Sequence, residues 1–247
     1  MRRLAFSFLL VFLFGAMSIR AQATDSLTAL KPDGRVLRAG TDSLAIYVVD
    51  GTDTTRTGLA VDKLEVYEEG GRTLLRRVYQ SSDRLLGTTV DTLVDVLATL
   101  QPVRHRSRTS RSLEFLEFTP GAVKGWLRLA NGDSVAVDAP LPATVYNSSS
   151  FDLVIRASPL SETWQATIPA LLAHTRTVVS LRARVTGSEL IDGDPTWKVE
   201  AEFAGLPVTF WISKATRVLR QQAMRIRPDM TILFAAPKPA APVNRST

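Results

Sequence analysis

The chain has 247 residues, 22% of them charged, a formal net charge of +6, two histidines and no cysteine. The lack of cysteine excludes disulfides, cysteine-ligated metals and lipid attachment to a cysteine. The length suffices for one sizeable hydrophobic core.

The first 23 residues have the pattern of a secretory signal peptide. Two arginines precede an apolar run over 4–14, and Ala21-Gln22-Ala23 provides a small-x-small cleavage site. We expect cleavage near Ala23 and an exported product, periplasmic or secreted, that is soluble and has no membrane span. The alternative is an uncleaved anchor, although the apolar run is shorter than the ~20 residues of a spanning helix.

Removal of this segment lowers the net charge, because Arg2, Arg3 and Arg20 leave with it. The remaining charge of about +3 does not favour nucleic-acid binding. Behind the leader we predict a loose lead-in at 24–40, one antiparallel β domain at 41–234 and a disordered, proline- and alanine-rich tail at 235–247.

Period-two alternation of apolar and polar residues predicts strands along most of the domain. The predicted strands are 43–49, 62–68, 72–80, 88–95, 101–109, 112–118, 126–130, 133–137, 178–186, 197–203, 206–212 and 217–224. The last four form a meander, with 187–195 connecting its first two strands. The apolar side of the meander includes Leu181, Trp197, Val199 and Phe210.

Asn131-Gly132 predicts a hairpin with a two-residue type I′ turn. That turn would pair Leu129 with Ser134 and Leu127 with Ala136. Two short helical segments are also predicted, at 148–158 and at 167–174.

Catalytic and metal-binding patterns are not found in the sequence. His105 and His174 are far apart and lack metal-ligand spacing. There is no nucleophile elbow, phosphate loop or dinucleotide fingerprint. Glu114 and Glu117 could form a glycosidase pair, but we interpret them as solvated strand positions. We therefore expect no catalytic residues, no cofactor and no metal.

One basic segment stands out. Arg104, Arg106 and Arg108 project to the same face of a predicted strand, where like charges repel. This face either contacts an anionic partner, such as lipid headgroups or another envelope polyanion, or is solvated and relieved by neighbours such as Glu114 or Asp95.

Three stretches of the second half have distinctive sequences: 187–190 (Gly-Ser-Glu-Leu), 196–200 (Thr-Trp-Lys-Val-Glu) and 210–220 (Phe-Trp-Ile-Ser-Lys-Ala-Thr-Arg-Val-Leu-Arg). They resemble the C-terminal half of an exported bacterial family known as domain of unknown function 3108. Two further matches, at 99–104 and 151–160, occur upstream in the same order. These are turn and strand signatures, and no binding residue is carried over from the family.

The resemblance covers about residues 60–225 and implies a mainly β fold. We expect a single curled antiparallel sheet, an incomplete β-barrel, with one or two short helices on its open side. This fold is similar to the lipoprotein-localisation factors, which carry acyl chains in the envelope, so the resemblance offers only fold-level support for lipid carriage.

The leading functional hypothesis is a non-enzymatic envelope protein with a hydrophobic ligand or lipid in a concave groove. Its candidate groove residues are Leu181, Trp197, Val199 and Phe210. One alternative is a structural or interaction protein whose concave face is filled by its own helix, and the other is a hydrolase. A continuous apolar cavity favours a carrier, whereas a filled core argues against one.

Overall fold

The computed structural model describes residues 30–237, except 143, 173, 174, 176 and 204. The predicted signal peptide 1–23, His174 and most of the predicted tail therefore lie outside the described residues. Within the described part of the chain, no helix is long and apolar enough to cross a membrane.

Fifteen strands form a single sheet among the described residues. They are β1 Gly40–Asp50, β2 Asp53–Glu69, β3 Arg72–Asp83, β4 Gly87–Val96, β5 Pro102–Thr109, β6 Ser112–Thr119, β7 Ala122–Leu129, β8 Ser134–Pro140, β9 Tyr146–Asn147, β10 Gln165–Leu172, β11 Thr177–Ile191, β12 Asp194–Phe203, β13 Leu206–Ser213, β14 Leu219–Arg227 and β15 Met230–Ala235.

The sheet is built from two meanders joined by the antiparallel pairing of β1 with β15. One meander runs from β1 outward to β8, and the other from β15 outward to β9. The short β9–β10 pair is parallel. The strands β8 and β9 are at the two edges and do not pair with each other, so the barrel stays incomplete, as predicted.

Side-chain packing brings the two edge regions together without hydrogen-bonding them into a barrel. Leu171 of β10 and Val145 share a buried cluster with Leu116 of β6, Val123 of β7 and Val137 of β8. The apolar side chains protect the edges that the open sheet would otherwise expose.

The α-helix of the described chain, α1 Phe151–Arg156, packs against the inner face of the sheet. A 3-10 turn at Ser148–Ser150 leads into it, and the Asn147 side chain accepts a hydrogen bond from the Ser149 N–H. The helix predicted at 148–158 is thus confirmed in position. We call the side of the sheet that faces α1 the inner face and the opposite side the outer face.

The second predicted helix, at 167–174, is wrong over its described residues, which belong to β10. Ile168 and Ala170 are buried and alternate with less buried neighbours, and β10 pairs along its whole length with β11. Pro169 is tolerated because it precedes the two residues that pair with β9.

The register predicted for the Asn131-Gly132 hairpin is also wrong. Arg128 pairs with Ser134, and the Leu129 N–H donates to the Asp133 carbonyl at 2.8 Å. The loop therefore has three residues rather than two, with Gly132 at φ 91°. Asn131 also accepts a hydrogen bond from the Asp133 N–H, which stabilises this longer loop.

The connection predicted at 187–195 is much shorter in the structure. Strand β11 continues to Ile191 and pairs with Asp194, leaving Asp192-Gly193 as a two-residue turn. Both turn residues have left-handed backbones, at φ 50° and 80°, as a type I′ turn requires.

The described part of the lead-in is packed rather than loose. Residues Gly34–Val36 form a 3-10 turn, and Leu37 is buried in the main core. The Asp33 N–H donates to the Ala157 carbonyl at 3.0 Å, which ties this segment to the end of α1.

Candidate functional site

The concave inner face of the second meander is filled by α1. Leu181, Val199 and Phe210 are buried in the main core. The rings of Phe151 and Phe210 meet edge to face, with centroids 6.1 Å apart. Trp197 packs beside this core, and the Lys214 Nζ lies 3.9 Å from its ring centroid. The four predicted groove residues therefore pack against the core, and the clefts described below are lined by other residues.

A buried ionic cluster fastens α1 to the sheet. The Arg77 guanidinium on β3 donates from Nε to Asp62 Oδ1 at 2.7 Å and from Nη1 to Asp152 Oδ1 at 2.6 Å. Arg156 Nη1 lies 3.5 Å from Asp62 and 3.4 Å from Asp152. The cluster therefore contains two cations and two carboxylates, drawn from β2, β3 and α1.

The charges of this cluster hold one another in the ionised form. Burial would raise the pKa of Asp152, but Arg77 and Arg156 hold it below its usual value. Burial would likewise lower the pKa of Arg77, yet Asp152 and Asp62 raise it above its usual value. Removing one member would leave an uncompensated buried charge.

A second contact of α1 involves the turn between β13 and β14. Arg156 Nε donates to the Arg217 carbonyl at 2.8 Å, and Arg217 has a left-handed backbone at φ 59°. At the same turn, Asp194 accepts from Ser213 Oγ at 3.2 Å and from Arg220 Nε at 2.6 Å. Residues in the stretches at 151–160 and 210–220 thus meet where α1 docks.

A cleft of about 200 Å³ opens beside the ionic cluster. Its polar lining is Asp42, Asp62, Arg77, Tyr79, Asp91, Ser149, Asp152, Arg156 and Gln222, and its apolar lining is Leu44, Ala60, Leu219 and Phe234. Burial raises the pKa of Tyr79 to about 12, so its hydroxyl stays protonated at neutral pH.

His105 lies on the inner face of β5 between two carboxylates. Its Nδ1 is 3.0 Å from Glu114 Oε1, and its Nε2 is 3.8 Å from Asp91 Oδ1. Burial would lower the pKa of His105, but these two carboxylates raise it to about 9. The imidazole is therefore a cation at neutral pH. Among the described residues, no group of His, Asp and Glu could hold a metal ion.

Glu114 and Asp95 both face inward, so the prediction that they relieve the basic segment is wrong. Glu114 contacts His105, and Asp95 accepts a hydrogen bond from Ser150 Oγ at 3.1 Å. Strand alternation separates these acids from the outward arginines.

The glycosidase pair considered from the sequence does not form. Glu114 is buried rather than solvated, and it lies on the opposite face of β6 from the exposed Glu117.

The three arginines of the basic segment share the outer face of β5, with different partners. Arg104 Nη2 donates to Glu69 Oε2 at 2.6 Å and lies 3.3 Å from the Tyr67 hydroxyl. Arg106 and Arg108 are exposed and form no ion pair with any described residue. Only Arg106 and Arg108 thus remain uncompensated in the predicted set.

Two cross-strand rows place aromatic rings and a further arginine beside Arg106 and Arg108. Phe115 pairs with Arg106 and with Trp126, and Leu113 pairs with Arg108 and with Arg128. The rings of Phe115 and Trp126 stack with centroids 6.4 Å apart, and the Arg128 guanidinium lies 5.4 Å from the Trp126 centroid. We call Arg106, Arg108, Phe115, Trp126 and Arg128 the basic outer face.

The basic outer face is free of acidic side chains along its own rows. Across β4–β8 the rows are Thr92, Arg106, Phe115, Trp126 and Ala136, and Val90, Arg108, Leu113, Arg128 and Ser134. Trp126 is 37% exposed. Sequence reasoning missed Arg128 and Trp126 as neighbours of the basic segment, although their spacing of two already placed them on one face.

A wider cleft, of about 1160 Å³, lies over the second meander and has mixed charge. Its lining includes Arg182, Arg184 and Arg225 together with Glu200 and Glu202. Arg184 pairs with Glu200 at 3.3 Å, whereas Arg182 and Arg225 have no ion pair within the described residues. This cleft is therefore less suited to an anion than the basic outer face.

Residues 46–232 match the model of a family described as "Protein of unknown function (DUF3108)". The chain belongs to this family. The resemblance to DUF3108 inferred from the turn and strand signatures is confirmed, and the family description specifies no enzymatic activity. A comparison with curated proteins finds no match.

Among solved structures, this DUF3108 member is similar to the crystal structure of a beta-barrel-like protein of domain of unknown function DUF1849 from Brucella abortus. The two share 14% sequence identity with a TM-score of 0.46, and the match covers 82% of this chain and 98% of the other.

Proposed function

We propose that the protein is a non-catalytic envelope protein that binds a phosphate-bearing, anionic partner through the basic outer face. The supporting observation is the set of three uncompensated guanidiniums, from Arg106, Arg108 and Arg128, in two adjacent rows without an acid. Arg106 and Arg108 lie two residues apart on one face of β5, and Arg128 lies in the row of Arg108 two strands away. Like charges gathered on one face repel, so a bound anion lowers the energy of this surface.

The side-chain chemistry of this face fits phosphate. A guanidinium presents a planar fork of N–H donors that matches phosphate oxygens in a bidentate manner. Trp126 and Phe115 add a flat apolar surface between the arginines, and tryptophan favours places where one end is apolar and the other wet. Placement in the envelope rests on the signal peptide predicted at 1–23.

Charge reversal tests the proposal. The double variant R106E/R108E is compared with R182E/R225E, which makes the same charge change at two exposed, unpaired arginines of the second meander. The probes are phosphatidylglycerol vesicles and soluble polyphosphate. A surface arginine contributes about 1 kcal/mol near an anionic surface, so R106E/R108E should bind phosphatidylglycerol vesicles at least about 30-fold more weakly.

The matched variant separates a site from a general charge effect. R182E/R225E should keep most of the binding, because its arginines share their cleft with glutamates. Equal losses in both double variants, or unchanged binding in R106E/R108E, would reject the basic outer face as the site.

The cleft beside α1 favours a second candidate function, the binding of a small ligand with an apolar body and a charged end. Leu44, Ala60 and Phe234 belong to one apolar cluster, and they line the cleft together with the ionic cluster. Native mass spectrometry of protein purified from its own envelope tests this idea. A ligand that co-purifies with the wild type supports it, and repeated preparations of ligand-free protein contradict it.

A further inference from the structure

We infer that the anionic partner is a lipid bilayer, and that the turn between β3 and β4 inserts its two leucines into it. This inference rests on the proposed function and adds an independent observation. Leu85 and Leu86 are consecutive and are 67% and 51% exposed. One exposed leucine is ordinary in a folded protein, but two at the tip of a hairpin form a small apolar projection.

Three neighbouring turns lie together at this end of the sheet. They connect β3 to β4, β5 to β6, and β7 to β8. A Cβ on Gly87 would lie 3.0 Å from Ser110 Oγ, which places the first turn against the second. The Ala130 N–H donates to the Arg111 carbonyl at 2.8 Å, which joins the second turn to the third. Leu129, also exposed, precedes the third turn.

Cations flank the apolar projection, and those on the side of β5 continue the basic outer face. Arg84 precedes the two leucines, and its Nη2 donates to the Arg56 carbonyl at 2.8 Å. Arg111 lies on the adjacent turn, and Arg108 lies on the strand that leads into it. Leucines flanked by arginines suit the boundary between acyl chains and phosphate headgroups.

Asp83 fixes the shape of the inserting turn. Its Oδ1 accepts hydrogen bonds from the N–H groups of Leu85 and Leu86, both at 2.8 Å, and its Oδ2 accepts one from the Thr57 hydroxyl. Burial would raise the pKa of Asp83, but these bonds hold it below its usual value. The turn is therefore ordered before binding, which reduces the entropy lost at a membrane.

Other acids at this end lie in the third turn, where Asp133 Oδ2 accepts a hydrogen bond from Asn131 Nδ2 at 2.6 Å, and on the β1–β2 hairpin. Asp50 and Asp53 line a cleft of about 480 Å³ that also contacts Arg84 and Leu85. Their hairpin is joined to the turn between β14 and β15 by the Gly51 N–H, which donates to the Asp229 carbonyl at 2.9 Å. Arg108 and Arg111 therefore lie on the side of Leu85 and Leu86 that faces away from the β1–β2 hairpin, toward the basic outer face.

Exposed leucines distinguish a bilayer from a soluble polyanion, because only the bilayer offers an apolar interior. The variant L85S/L86S should bind vesicles of phosphatidylglycerol and phosphatidylethanolamine about 100-fold more weakly than wild type. Its binding to soluble polyphosphate should be unchanged. The matched control is L190S, because Leu190 is 71% exposed beside the β11–β12 turn at the other end of the strands.

The outcomes separate this inference from the proposed function. If L85S/L86S keeps vesicle binding while R106E/R108E loses it, the insertion is refuted and the anionic site stands. If wild type binds polyphosphate and not vesicles, the bilayer is the wrong partner. If R106E/R108E binds both probes normally, the proposed function fails as well.

A fluorescent probe tests insertion directly, without relying on a loss of binding. Because the chain contains no cysteine, L86C creates a unique attachment point for an environment-sensitive NBD dye. Phosphatidylglycerol vesicles should shift the NBD emission of L86C to the blue, and the same dye on L190C should not shift. An unshifted L86C signal on vesicle-bound protein would overturn the inference.

Discussion

Replacing Asp95 by asparagine should stabilise the protein, and the gain should grow as the pH rises. Asp95 is 1% exposed, and its Oδ2 accepts a hydrogen bond from Ser150 Oγ. Its Oδ1 has no hydrogen-bond partner among the described residues. Burial raises the pKa of Asp95 to about 7, because ionisation would place a charge inside the fold.

The expected magnitude follows from this pKa. An aspartate in the unfolded chain has a pKa of about 3.9, so the folded value is about three units higher, and each unit corresponds to about 1.36 kcal/mol. Because the folded pKa is raised, protonated Asp95 makes its full contribution to the free energy of unfolding below about pH 4. This contribution is lost as the pH rises from about 4 to about 7. The asparagine side chain in D95N would keep the oxygen that Ser150 needs and could not ionise.

Urea unfolding at several pH values between about 4 and 8 measures this effect. The variant D95N should match wild type near pH 4 and exceed its free energy of unfolding by about 2–4 kcal/mol at pH 8. The control is D138N, at an exposed acid of β8, which should show no such trend. A D95N difference that is independent of pH would refute the reasoning.

Two further predictions concern the packing of the sheet. R77M should lower the free energy of unfolding by about 3–5 kcal/mol, because Asp62 and Asp152 lose a buried partner; R76M, at the exposed neighbour, should cost less than about 1 kcal/mol. Equal effects in urea unfolding would contradict the ionic cluster. G125A should abolish or severely weaken folding, since its Cβ would lie 1.9 Å from the Phe115 carbonyl oxygen, whereas a Cβ at Gly187 meets nothing within 4 Å. A G125A protein as stable as G187A in thermal unfolding would disprove the close approach of β6 and β7.

The alternation of apolar and polar residues was sufficient to predict much of the sheet. The turn residues were not sufficient to predict the length of the loops or the register of the hairpins. The strand predicted at 197–203 lies within β12, because its apolar side chains pack on α1. The helix predicted at 167–174 is wrong over 167–172 because the strand there depends on pairing with β11, which comes later in the chain. Asn131-Gly132 is compatible with loops of two or three residues, and only the pairing of β7 with β8 decides between them.

In the candidate sites, too, the sequence predicts what depends on neighbouring residues and misses what depends on the fold. Alternation alone placed Arg106 and Arg108 on one outward face. The ionic cluster was missed because Asp62, Arg77 and Asp152 come from three separate segments that meet only in the fold. The sequence gives one indication of the cluster. Arg77 is spaced by two from Leu75 and Tyr79, so alternation places it on the inner face of β3.

Hydrogen exchange on protein bound to phosphatidylglycerol vesicles tests the basic outer face most directly, since exchange reports which backbone groups become protected. Protection is predicted at 84–87 and across 104–129, with no change at 180–185 on the second meander. Protection confined to 180–185, or none at either surface of vesicle-bound protein, would contradict membrane contact through the basic outer face.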